Sequence, residues 1–318
     1  MAQTFRLPAC KQVLAGEPAL PPAATPRTKI ALAFGAIYLI WGSTFLATRF
    51  AVTVIPPFFV SGTRFFAAGL LLFAFARMRS TEALTWRNWR AAMLLGALFF
   101  LICHGGVSWA ARHVPSGIAA LLMASISMWT AVIELVRRSE SRPRRLVIIS
   151  LLTGFLGMTL LVARPQLLTG SRVGSLSAIV VLLGAFSWAM GTVLTRKMDL
   201  PSSTLLSASM QMICGGGLLL LLGAASGQAA EFHLSAITQP ALLGMLFLTF
   251  VGSLAGFSCY IWLLSKCSPT RVATYAYVNP IVALFLGWAI AGEQLTARSL
   301  IASLIVVGSV AVIISSRE

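Results

Sequence analysis

The 318-residue chain is 58% hydrophobic and only 10% charged, with a mean hydropathy of +0.89. A soluble domain carries about a quarter of its residues as charges, so water is not the main solvent for this protein. The formal net charge of +16 does not mark a nucleic-acid binder, because the basic residues lie between apolar runs and not in one patch with interleaved aromatics.

Residues 1–29 hold Pro8, Pro18, Pro21, Pro22 and Pro26 with four basic side chains and no apolar core, the composition of a disordered tail. Ten apolar stretches follow, at about 30–51, 57–78, 91–112, 116–137, 145–163, 174–197, 203–225, 240–264, 270–290 and 296–315. A helix rises 1.5 Å per residue, so each is long enough for a hydrocarbon layer of about 30 Å. None shows strand-like alternation, and a backbone in lipid must satisfy its own hydrogen bonds. The expected fold class is therefore all-α, a polytopic membrane protein with ten transmembrane helices. No cleavable signal is expected, because the first run is too long for a signal-peptide core and more spans follow it. Lys and Arg number eighteen on the side shared with the N-terminus and five on the other, which puts both termini in the cytoplasm under the positive-inside rule.

Within the spans, polar residues are few and each calls for a reason. Trp41 lies about 16 Å along the first span, too deep for an interfacial belt. Its indole and that of Trp188 in the sixth span are expected either to wall a cavity or to pack in the core. Arg64 falls seven residues into the second span, about 10 Å below its end, where an ionised group costs several kcal/mol. His104 comes to about 12 Å depth on a span running the other way, so the two are expected at one level and able to line one vestibule. The competing readings are an Arg64 bonded to backbone carbonyls or snorkelling outward, and a neutral His104 bonded to a neighbouring helix. Glu134, the one carboxylate inside a span, lies about 17 Å below Arg64 and is expected to pair locally with Arg137 and Arg138. Arg49 and Arg196 sit at helix ends and read as interfacial snorkels.

Weaker candidates are Ser125, Ser127, Trp129, Gln211 and Tyr260, of types that often hydrogen-bond between helices. In the ninth span Tyr275, Tyr277 and Asn279 precede Pro280. Proline lacks an N–H, which leaves the Ala276 carbonyl without its donor in the middle of the predicted helix. Pro280 is a candidate hinge, and the freed carbonyl beside Asn279 is a candidate contact for an ammonium or hydroxyl; packing alone is the alternative. Five cysteines without CxxC spacing, and the lack of HExxH, GxSxG or Walker A sequences, point to no metal, no cofactor, no catalysis and no ATP site.

The chain repeats itself at long range. Trp41 to Arg49 reads WGSTFLATR and Trp188 to Arg196 reads WAMGTVLTR, an offset of 147. Pro115, Ala119 and Gly154 recur as Pro269, Ala273 and Gly308 at an offset of 154. Two five-span copies, 30–163 and 174–315, follow, and since five is odd the second enters the membrane from the opposite side. Such inverted repeats place a substrate site between the halves and make alternating access easy.

WGSTFLATRF with PPFFVSGTRFFAAGLLL, then HVPSGIAALLMAS, SWAMGTVLTRK and SPTRVATYAYVNPIVALFLGWAIAGEQLT, resembles the EamA family of the drug/metabolite transporter superfamily, close to its YedA-like members, over roughly residues 30–315. The resemblance implies a 5+5 inverted-repeat carrier that exports small metabolites such as amino acids across the bacterial inner membrane. The first half departs from the pattern, with Ser127 near the position of the expected proline and Arg138–Ser139 where the second half has Gly292–Glu293, so less flexing is expected there. The expected function is thus a secondary transporter for efflux of an amino-acid-like or other neutral or zwitterionic solute, in a cavity that is mostly apolar. A channel-like facilitator and a non-transporting membrane partner protein are the alternatives. Expected partners are the small-molecule substrate, membrane lipid and a proton or counter-substrate, with no nucleic acid and with a homodimer left open.

Overall fold

The computed structural model describes residues 27–137, 145–162, 172–195, 197–267, 272 and 274–315. Among the described residues the secondary structure is helical, with no strand. The main helices are α1 (Arg27–Ala51), α2 (Pro57–Arg79), α3 (Trp86–Ala110), α4 (Ser116–Met123 and Ile126–Arg137), α5 (Arg145–Val162) and α6 (Arg172–Thr195). They continue with α7 (Thr204–Ala225), α8 (Gln239–Leu246 through Gly256–Lys266), α9 (Tyr275–Ala291) and α10 (Ala297–Ser315). By length and composition α1, α2, α3, α6, α7 and α8 qualify as membrane spans, while the apolar segments of α4, α5, α9 and α10 are shorter. Large apolar side chains such as Leu39, Leu71, Ile102, Leu183, Leu221 and Phe285 face outward, the surface of a protein solvated by lipid.

Two details differ from the sequence expectation. The described helix α9 starts at Tyr275, so Pro280 occupies its second turn and not its middle. A proline there removes one hydrogen bond near the helix end, a smaller disturbance than a central kink. In α4 the helix is interrupted at Ala124–Ser125, although no proline stands there. The segment that was expected to flex less than its repeat mate is itself broken.

Two helices carry π-helical stretches at matching places: Ala97–His104 in α3 and Phe247–Ala255 in α8. A π turn widens the helix by one residue and re-aims side chains. Packing across the two halves of the chain is reciprocal. Helix α2 lies along α7 and α5 along α10, while α1 meets α8 and α9 just as α6 meets α3 and α4. Lipid supplies no hydrophobic drive between helices, so close packing of small residues and polar ties must hold them. A Cβ at Gly216 would sit 2.5 Å from the Phe66 nitrogen, and one at Gly215 would sit 2.5 Å from the Gly96 oxygen. These approaches exist only because both positions lack a side chain.

The ends of α2 and α7 cap one another. The Glu82 carboxylate, beyond the end of α2, accepts from the Ser202 N–H at 2.8 Å, the Ser202 hydroxyl at 2.9 Å and the Ser203 N–H at 3.2 Å, just before α7. Gln228, beyond the end of α7, accepts from the Phe58 N–H at 3.1 Å in the first turn of α2. Each supplies an acceptor to helix-terminal donors that have no intrahelical partner. The bonds from Ser202, its backbone N–H first, hold the Glu82 carboxyl below the usual carboxylate range.

A depressed carboxyl stabilises the fold at pH above its unfolded value, about 4.3, and the gain is lost as pH falls through the lower folded value. Glu82→Gln is expected to lower the thermal midpoint in detergent at neutral pH, with the gap to wild type closing in acid. Gly216→Val is expected to cost about 1–3 kcal/mol through overpacking against Phe66, read in the same melts.

Candidate functional site

A cavity that opens outward lies between the two halves of the chain, with about 640 Å3 of space between atoms, open solvent included. Helices α1 to α4 contribute from the first half of the chain and α6, α8 and α9 from the second. Its wall is mainly apolar, from Phe45, Phe65, Met123 and Phe257 among others. Both π-helical stretches end on it, through His104 in α3 and Gly252 and Ser253 in α8. The break in α4 reaches it at Ala124, and the start of α9 at Tyr275, Ala276 and Asn279.

Arg64 and His104 meet here, as their equal depth implied: Arg64 Nη2 and His104 Nδ1 stand 3.1 Å apart. Arginine can only donate, so Nδ1 accepts and the ring carries its proton on Nε2. The Phe65 ring covers the guanidinium, with Cζ 4.2 Å from its centroid. The imidazole is edged by Phe65 at 4.7 Å and Trp188 at 5.5 Å between centroids, and Ser61 donates to the His104 carbonyl at 3.3 Å. Arg64 is 4% exposed and its Nε has no partner. Among the described residues no carboxylate lines the cavity; the side chain of Glu134 lies outside them.

The two repeat-related tryptophans touch. Trp41 and Trp188 pack edge to face with centroids 6.1 Å apart, and Tyr260 and Tyr275 each stand 5.0 Å from Trp41. Trp41 Nε1 donates to the Gly252 carbonyl at 3.2 Å, closing a carbonyl within the α8 π stretch. Trp188 Nε1 lies near the Tyr260 and Tyr275 hydroxyls but meets neither in bonding geometry. Asn279, with its amide nitrogen turned to the Tyr275 and Tyr38 carbonyls at 3.2 Å each, ties α9 to α1. Nearby the Tyr38 and Thr274 hydroxyls are 2.5 Å apart. The side chain of Tyr277 lies outside the described residues.

Several predicted residues are elsewhere. Trp129 packs against Phe155 and Phe186, Gln211 donates to Ser207 at 3.0 Å, and Ser125 bonds its own helix at the Leu122 carbonyl. None of the three lines the cavity. Arg196 lies outside the described residues. Ser253 lines the cavity and was missed; a lone serine in an apolar run carries no sequence signal, and only the π geometry turns it inward.

Arg49 is not simply a snorkel. Its Nη1 is 3.2 Å from Glu293, which also accepts from the Ser116 N–H at 3.0 Å, the Ser116 hydroxyl at 2.9 Å and the Gly117 N–H at 3.4 Å. Gly292 in the left-handed region, φ +63°, turns the chain at the end of α9 and aims Glu293 at the start of α4. One carboxylate therefore binds the ends of α1, α4 and α9 together, favoured by the positive end of α4.

The sequence profile described as the EamA-like transporter family matches residues 28–163 and 175–315. The Escherichia coli K12 protein named uncharacterized inner membrane transporter YedA is 34% identical over 265 residues, covering 82% of each chain. A Salmonella typhimurium protein named probable amino-acid metabolite efflux pump is 22% identical over 277 residues, covering 85% of this chain and 89% of its own. A crystal structure shares the fold with a TM-score of 0.64 at 19% identity, over 92% of this chain and 99% of that one. The chain belongs to the EamA-like transporter family.

An unpaired buried cation destabilises the fold that holds it. Arg64→Met is expected to leave the protein folded and to raise its thermal midpoint, a gain of about 1–4 kcal/mol. A midpoint that falls sharply in melts of the purified variant would show instead that the guanidinium clamps the helices.

Proposed function

We propose that this family member is a secondary transporter that exports a small metabolite, amino-acid-like or another neutral or zwitterionic solute, by alternating access between two inverted five-helix repeats. The observation that carries the reading is the cavity walled by both halves of the chain, with Arg64 in it, its Nε unpartnered and no carboxylate beside it among the described residues. A charge buried at such cost in an apolar bundle calls for a ligand that repays it. The name of the Salmonella relative supports an amino-acid-like cargo.

Support for the repeats, 30–163 and 174–315, comes from reciprocity. The π stretches fall at corresponding places in the third and eighth helices, α2 and α7 cap each other, and α1 contacts α8 and α9 as α6 contacts α3 and α4. In this reading both termini face the cytoplasm of a bacterial cell, and α2 with α7 form the fixed spine; of the expected tail, residues 1–26 lie outside the described residues and 27–29 belong to α1. Helices α1, α4 and α9 move, and the Glu293 cluster joins their periplasmic ends in the closed-outward state. Pro280 in α9 and the break at Ala124–Ser125 in α4 supply the bends. A proton or counter-substrate drives the cycle.

Flux into proteoliposomes tests the function. Saturable uptake with counterflow of an amino-acid-like solute is expected, and leak that neither saturates nor exchanges would identify a channel. For the gate, Glu293→Gln removes the ion pair to Arg49 and weakens the cap on α4. A cysteine at position 44 (Thr44→Cys), on the cavity wall, is then expected to react faster with an impermeant thiol reagent added from the periplasmic side. Unchanged labelling would exclude the Glu293 cluster as the gate.

A further inference from the structure

Resting on the transporter reading, and narrowing its cargo, the structure assigns the cavity to a carboxylate. We infer that Arg64, Trp188 and Ser253 together hold the carboxylate of a compact organic acid with an apolar or aromatic body, and that the amine of an amino acid is not required. Solutes without a carboxylate are excluded, and acids without an amine are included.

Three residues that line the cavity each carry a buried polar atom without a partner: Arg64 Nε, Trp188 Nε1 and Ser253 Oγ. Their residues are 4%, 3% and 1% exposed. An orphaned polar group in a dry interior costs about 1–3 kcal/mol, so three around one void form a set that a ligand completes. The guanidinium and the indole can only donate, and the hydroxyl can donate. His104 adds the same sense: with Nδ1 accepting from Arg64 at 3.1 Å, its remaining N–H is a donor. A carboxylate offers about four acceptor sites and the charge that Arg64 lacks.

The acceptors that would greet an ammonium are few and partly spent. No described carboxylate lines the cavity, and the Gly252 carbonyl already receives the Trp41 N–H at 3.2 Å. The Asn279 amide nitrogen occupies the Tyr275 and Tyr38 carbonyls, which leaves its own Oδ1 as one acceptor at the wall. An amine would meet the Asn279 Oδ1, the Ala276 carbonyl and aromatic faces while sharing a low-dielectric space with Arg64, which repels it. The paired rings of Trp41 and Tyr275, 5.0 Å apart, leave an apolar wall for the body of the acid.

The test uses four probes that share one body: 3-phenylpropanoate, phenylalanine, 3-phenylpropanamide and 2-phenylethylammonium, titrated against the purified full chain by thermal shift and tryptophan quenching. Both carboxylates are expected to bind, and the amide and amine are not. Arg64→Gln is expected to weaken 3-phenylpropanoate about ten- to hundredfold, as for loss of a charged hydrogen-bond partner, with Arg64→Lys intermediate. Ser253→Ala, expected at about three- to tenfold, gives the same reading should Arg64→Gln not fold. Equal binding of the amide or amine, binding of phenylalanine alone, silence of both carboxylates, or an unchanged affinity in these variants each overturns the inference. The same probes in proteoliposomes separate the two claims. Carboxylate binding without flux leaves this site standing and removes the transport reading, whereas flux of the amine or amide without preference for the acids does the reverse.

Discussion

Hydrocarbon offers a polar atom nothing to bond with, and nearly every side-chain placement in the bundle answers to that fact. Backbone groups satisfy themselves within helices. Isolated hydroxyls fold back on their own carbonyls, as Thr63 does on Phe59 and Thr192 on Trp188. Of the longer polar groups, Asn279 reaches across to α1, while Gln211 bonds Ser207 one turn back in its own helix, α7. The atoms left over are then conspicuous, and three of them belong to residues that line one cavity.

Helix ends tell the same story outside the apolar layer. The carboxylates of Glu82 and Glu293 and the amide of Gln228 do not cap their own helices; each bridges to the first turn of a helix from the other half of the chain. A cap worth about 1 kcal/mol within one helix becomes, placed this way, a tie between two elements. Ties at both ends of the α2 and α7 pair brace a contact already tightened by Gly216, which suits a spine. The Glu293 tie instead joins α1, α4 and α9, which line the cavity, α4 at its break and α9 at its first turns.

The cavity couples these parts chemically. Two π stretches, one from each half, open their helices where His104 and Ser253 reach the interior. The Trp41 indole closes one exposed carbonyl of the second stretch and, in the same position, edges Trp188. Removing apolar walls around Arg64 would admit water and dilute its pull, so the aromatic cluster and the cation act as one device.

Much of this was legible beforehand. Hydropathy and helix length alone located the helices to within a few residues, because a span must match the thickness of lipid whatever its neighbours are. Depth counting brought Arg64 and His104 to one level, and the offset of 147 paired Trp41 with Trp188, since rise per residue and repeat register are properties of the chain itself. What only the tertiary structure decided is where helices depart from regularity and what each polar group faces. The π turns, the break at Ala124–Ser125, the inward Ser253, and the engagement of Arg49 by Glu293 all depend on contacts between residues far apart in sequence. Those contacts arise when two halves pack side by side, and no local propensity encodes which polar group will find a partner there and which will not.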